Sequence, residues 1–153
     1  MRIEGTGFLV ACFAVIGLGV GVVGVVATGW AEAAFATEAA GDAERFGPIF
    51  VAQLYLAVTA AALIGAPVVA GVLGILVGSR AYSGREAAST CGIGTGVGAF
   101  GYGLLVVGLI VGSQGAAAEQ AYGVSDAFGA LVATTAGSAL VGGITGALGA
   151  WVG

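Results

Sequence analysis

The sequence contains no histidine and no lysine, and sets only four Arg against eight Asp and Glu in 153 residues. Without His the chain lacks the side chain most often used for proton transfer near neutral pH, and the commonest metal ligand. Two cysteines, Cys12 and Cys91, are too far apart in sequence for a Cys-x-x-Cys motif. Charged residues make up 8% of the chain, where a soluble domain carries about 25%. So few charges cannot cover a water-facing globular surface. What is abundant is apolar and small: 59% hydrophobic residues, 31 Gly and a mean hydropathy of +1.09.

The apolar residues fall into four runs, at 8–30, 49–78, 91–113 and 127–152. Each matches the roughly 20 residues needed to cross a bilayer as a helix. Every charged residue lies outside them: Arg2 and Glu4 before the first run, five charges between the first and second, Arg80, Arg85 and Glu86 between the second and third, Glu119 and Asp126 before the fourth. A charge at the bilayer centre costs several kcal/mol, so this segregation predicts an all-α integral membrane four-helix bundle, a single domain over 1–153.

The net charge of −4 with Arg as the sole basic residue fits a halophilic source, where acidic surfaces keep proteins soluble; composition bias alone would look similar. The N-terminal apolar run exceeds the 7–15 residues of a signal-peptide core, so a retained first helix is expected. The run Leu9-Val10-Ala11-Cys12 opens the apolar stretch instead of following it, unlike a lipoprotein box. Cys12 and Cys91 read as buried thiols serving as small apolar residues. Arg2, Arg80 and Arg85 share one membrane side and Arg45 the other, so the positive-inside rule places both termini in the cytoplasm of a multi-pass cell-membrane protein. Trp30, Tyr122 and Trp151 sit at span ends, where amphipathic rings anchor. The segment 31–47 either prolongs the first helix or lies along the interface. Pro48 then falls in the first turn of the next helix, and Pro67, inside the second span, removes the donor for the Leu63 carbonyl and kinks that helix.

GLGVGVVG at 17–24 and GTGVGAFG at 94–101 each contain G-x-G-x-x-G, the spacing of a dinucleotide-binding loop. With one residue in five a glycine, about one such motif arises by chance in a chain of this length. The motif also needs a preceding strand and a following acid. Glu119 lies 18 residues past Gly101, but the intervening run crosses a bilayer thickness and leaves no βαβ unit. Neither a nucleotide nor a nucleic acid is expected as a partner, and no cofactor or metal site is implied.

The glycines read instead as packing surfaces. In lipid, helices associate through small residues that let backbones approach. Gly17, Gly21 and Gly24 in the first span, Gly94, Gly98 and Gly101 in the third and Gly142 and Gly146 in the fourth are the candidate contact positions. The first and third spans are densest in such residues and should be the most closely surrounded. So many small stripes also suit a homo-oligomer or packing against other membrane subunits.

The two glycine stretches align further. IGLGVGVVG at 16–24 and IGTGVGAFG at 93–101 match at six of nine positions, and PVVAGVLGILVG at 67–78 and GGITGALGAWVG at 142–153 match at five of twelve. The order is kept, which suggests an internal repeat: two helical hairpins in parallel orientation. A doubled hairpin with a Gly-rich first helix, together with Glu-Arg-Phe-Gly at 44–47, PIFVAQL at 48–54 and Gly-Trp-Ala-Glu at 29–32, resembles the proteolipid ring subunit of V/A-type rotary ATPases. That resemblance implies a ring component and ion transport. It also implies a carboxylate in the middle of an outer helix, which this sequence lacks: Thr59 stands at the comparable place in the first hairpin and Thr134, Thr135 and Ser138 in the second. The family's hairpin loops face the cytoplasm, whereas the Arg count here places them outside. The resemblance therefore implies a structural, ion-silent relative.

No intramembrane acid, His or Cys–His pair is available for catalysis or a proton relay. The expectation is a non-enzymatic membrane protein, a structural or accessory subunit packing through Gly-rich helices in the lipid bilayer. The alternative is a small channel or carrier for a neutral solute or Na⁺, its path lined by Gln53, Thr59, Thr134 and Thr135, with Tyr55, Thr95, Tyr102, Ser138 and Thr145 nearby.

Overall fold

A computed structural model describes residues 3–37, 41–113 and 124–153. Helix α1 spans Ile3–Glu32 and is prolonged by a π-helical turn at Ala33–Thr37; α2 spans Asp42–Gly78, α3 Gly84–Gly112 and α4 Val124–Val152. All four are long and apolar enough to cross a membrane. Lipid offers no hydrogen bonds to the backbone, so each crossing segment must pair its own amides, and helices rich in Gly and Val form there despite their weak propensity in water.

The helices begin earlier than the apolar runs do. A helix of 29 residues, such as α3, is about 43 Å long, against a hydrocarbon core of about 30 Å, so its polar flanks remain helical beyond the lipid. Glu4 stands in the first turn of α1, Glu32 in its last turn and Glu86 in the first turn of α3. The segment after Trp30 prolongs α1 through the π turn. Because α2 starts at Asp42, Pro48 lies in the helix interior and not in its first turn. Gly41 precedes α2 with φ of 69°, a backbone region that glycine alone enters freely. Helix α3 is capped by Ser83, whose hydroxyl accepts from the Glu86 amide at 3.2 Å, a Ser-x-x-Glu start signal. Helix α2 continues through Pro67.

The helices alternate in direction. One end gathers the start of α1, the α2–α3 turn and the end of α4: Gly5 faces Val77 and Thr90, Gly84 faces Trp151, and Gly153 faces Ser79. This end carries Arg80 and Arg85. At the opposite end Trp30, Phe35 and Phe50 meet edge to face, with centroids 6.3 and 5.1 Å apart. Trp30 and Trp151 are exposed at opposite ends; Tyr122 lies outside the described residues.

Around the bundle the order is α1, α3, α4, α2. Helix α3 packs extensively on α1 and α4, and α4 on α2, while α1 and α2 touch little although they are consecutive. The two hairpins are thus packed differently: α3 and α4 grip each other, α1 and α2 do not. The principal core joins Phe13 of α1, Val51, Tyr55, Ala66 and Ala70 of α2, and Ala99, Tyr102, Val106 and Ile110 of α3. Within its span α3 is 56% buried, against 28% or less for the others. The first and third spans, expected to be the most closely surrounded, are the two most buried, with α3 well ahead of α1. Helix α1 packs along one face, and Val15, Val22, Val23 and Val26 point outward.

Candidate functional site: glycine seams and a cavity with a charged rim

Helices α1 and α3 run side by side in the same direction, and their contact follows an i, i+4 ridge on α1 and, on α3, positions 94, 98 and 102 and then, seven residues on, 109. Leu9 and Phe13 of α1 sit over Gly94 and Gly98 of α3; further along, Gly17 and Gly21 of α1 sit under Tyr102 and Leu109 of α3. Large meets small, and the roles exchange halfway. A methyl group placed on Gly98 would lie 2.6 Å from a ring carbon of Phe13, and one on Gly94 2.7 Å from a Leu9 methyl. Gly24 continues the seam against Ile110. Gly101 departs from the expected set: a side chain there would meet nothing within 4 Å. The ridge runs 94, 98, 102, and residue 101 lies about 100° away around the helix. On α4, Gly142 packs on Thr95 and Gly146 on Cys91, both of α3.

The residues expected to line a path are dispersed. Gln53 is exposed on the outer face of α2 and Thr134 is half-buried on α4. Thr59 is fully buried within the bundle and its hydroxyl meets no partner. Thr135 has a buried hydroxyl without a partner and lines an apolar groove on the outside of α3 and α4 with Gly92, Gly96 and Ala139. Thr95 bonds the Cys91 carbonyl at 2.7 Å and lies 2.9 Å from the Ser138 carbonyl, tying α3 to α4. The Tyr102 hydroxyl donates to the Ala62 carbonyl at 2.7 Å, one residue before the carbonyl that Pro67 leaves without its helical donor. Thr145 bonds back to Val141 at 2.8 Å. Neither that groove nor the cavity at the Arg-bearing end is lined by Gln53, Thr59 or Thr134. The thiols of Cys12 and Cys91 are free, and Cys91 points at the Gly74 carbonyl, 3.7 Å away.

Two polar groupings escaped the sequence reading. At the opposite end, the buried Tyr55 hydroxyl donates to the Glu32 carboxylate at 3.1 Å, with Thr28 and Ser113 flanking it. Thr28 and Glu32 are four apart, one above the other on α1. That spacing is readable wherever segment 31–47 prolongs the first helix, but the partner Tyr55 depends on how α2 lies beside α1, which no sequence spacing reports. At the Arg-bearing end, a cavity of about 390 Å³ opens between α1, the end of α2 and the start of α3. Phe8, Leu73, Leu76 and Val77 contribute apolar walls, and Glu4, Arg80 and Glu86 its charges. The signal was again an i, i+4 pairing, Glu4 above Phe8 and Glu86 above Thr90. Comparison with protein-family models, with curated proteins and with solved structures finds no match.

Proposed function

We propose that this membrane protein is a non-enzymatic structural or accessory subunit that packs, through small-residue faces, against further copies of itself or other membrane subunits. The observation that carries the reading is the outer face of α2. There Gln53 is exposed, and Ala57, Ala60 and Ala61 continue the same exposed face. Gln53 stands in the membrane span of α2; an amide turned toward hydrocarbon is costly unless another helix supplies a partner. The Ala57/Ala61 pair beneath it is the small-x-x-x-small pattern that admits close helix approach. Helix α3 offers a second such face, where Gly101, Gly108 and Gly112 meet no side chain among the described residues.

The pairing of α1 with α3 and of α2 with α4 as two layers supports a proteolipid-like ring component, as the resemblance implies. Thr59 stands where that family carries its carboxylate, so the proposed ring role is structural and not ion-carrying. The path reading has less support, because its hydroxyls lie in separate helix contacts.

Native mass spectrometry in mild detergent and in nanodiscs tests the proposal. The expected result is a defined multimer or complex, reduced by Ala57→Leu with Ala61→Leu while helicity is retained. A monomer in both media, or a multimer untouched by those changes and by Gly108→Leu, would overturn it.

A further inference from the structure

The groove on the outside of α3 and α4 has a shape that closer packing cannot remove. Its floor is formed by Ala88, Gly92 and Gly96 of α3 with Ala139 of α4. The two helices already touch there. A methyl group on Gly96 would lie 3.0 Å from the Ala139 Cβ, and one on Gly92 3.3 Å from the Ala139 carbonyl oxygen. Ile93, Val97 and Phe100 on one side and Leu140 on the other rise above that floor, and all four are exposed. The groove encloses about 740 Å³, a volume in the range of small-ligand sites.

Its length identifies the occupant. From Ala88 to Phe100 the groove follows α3 for about 18 Å at 1.5 Å per residue. One leaflet is about 15 Å deep, half of a hydrocarbon core of about 30 Å. A helix of another chain crosses both leaflets and needs a seam along the whole core, whereas an acyl chain ends near the midplane. The glycine face at Gly101, Gly108 and Gly112 does not prolong the groove, because it is turned about a third of the way around α3.

The outer end of the groove is chemically distinct. Arg85, exposed in the first turn of α3, shares a helix face with Ser89, Gly92 and Gly96, at i, i+4, i+7 and i+11. The exposed Trp151 of α4 stands beside Gly84, its indole nitrogen 3.1 Å from where a side chain there would begin. Tryptophan marks the headgroup level, so Arg85 stands at that depth. Glu4, Arg80 and Glu86, the other charged residues described at this end, line the cavity on the α1 side. The charge beside the groove is therefore positive.

We propose that this groove holds one phospholipid with an anionic head, an acyl chain lying over Gly92, Gly96 and Ala139 and the phosphate paired with Arg85. A guanidinium presents planar donors that fit a phosphate, and a helical side chain leans toward the helix start, here toward the headgroups. A zwitterionic head brings its own cation to Arg85, so a net negative head binds better. The inference does not rest on the subunit role, which is carried by the outer face of α2.

The test is native mass spectrometry of the full chain in mild detergent, titrated with phosphatidylglycerol or with phosphatidylcholine of the same acyl chains. One phosphatidylglycerol per chain should be retained in preference to phosphatidylcholine. Arg85→Gln should weaken phosphatidylglycerol binding about fivefold, the worth of one arginine at an anionic surface, and abolish the preference. Arg80→Gln makes the same charge change on the other side of α3 and should leave the preference intact. Ala88→Leu, which fills the groove, should lower retention of both lipids. Circular dichroism establishes that each variant is folded. No preference in the parent chain, a preference that survives Arg85→Gln, or one that falls equally with Arg80→Gln would overturn the proposal. So would an Ala88→Leu chain that keeps its lipid but loses a multimer, which would place a second copy in the groove. A chain monomeric throughout would refute the subunit role and leave these lipid measurements unchanged.

Discussion

Phe13 and Gly98 show how single residues hold this bundle. Lipid tails are as apolar as a leucine, so helices gain little from burial and depend on close fit. The Phe13 ring fills the hollow of Gly98 and meets Tyr102 edge to face, with centroids 6.2 Å apart at 76°. Gly98→Leu should therefore destabilise the folded chain by about 1–3 kcal/mol through overpacking, measured as the shift in an SDS-unfolding midpoint. Adding Phe13→Ala vacates the colliding volume and should restore about 1 kcal/mol, a coupling expected only of residues in contact. Gly101→Leu, which meets open space, should change the stability of the isolated chain by less than about 0.5 kcal/mol. A large loss at Gly101 with none at Gly98 would show the ridge to be misplaced. Composition and the G-x-x-x-G spacing revealed that glycines pack helices. Which glycines do so depends on how two helices cross, and one hundred degrees of rotation separates Gly101 from Tyr102.

At the scale of elements, α1 and α2 pose the question of what joins two consecutive helices that scarcely touch. Near the opposite end the Tyr55–Glu32 bond and the Trp30, Phe35, Phe50 contacts link them. Tyr55→Phe removes the bond while keeping the ring, and should cost about 0.5–1.5 kcal/mol. Hydrogen exchange is expected to rise locally over residues 28–35, with little change in α3 and α4. A uniform rise along the chain would mean that Tyr55 supports the core generally and not this junction. The existence of the four helices was legible in the sequence, because apolar runs and charge segregation report what can enter lipid. Their ends were not. The helix through Glu32 and the start of α2 at Asp42 persist outside the apolar zone, where no hydrophobicity signal marks them. The sequence left open whether 31–47 prolongs the first helix, and its apolar runs carried no sign that Glu4 and Glu86 are helical; both the Tyr55–Glu32 pair and the cavity rim need an acidic residue to be helical beyond the apolar run.

At the scale of the whole molecule, alternation of four helices puts both chain ends on one side, together with the α2–α3 turn. That side carries Arg80 and Arg85 close to α2 and α3, and the sequence adds Arg2; Arg45 alone falls on the other. Basic residues near span ends are retained on the cytoplasmic side, so the Arg-bearing end, with its cavity, should face the cytoplasm. In a background with Cys12 and Cys91 replaced by Ala, a single cysteine at Ser79 should react with an impermeant maleimide in inverted vesicles and not in intact cells. One at the exposed Ser113, across the bundle, should show the opposite pattern. Labelling of Ser79→Cys from outside would reverse the orientation. It would carry Glu4, Arg80 and Glu86, and the cavity they border, to the external face.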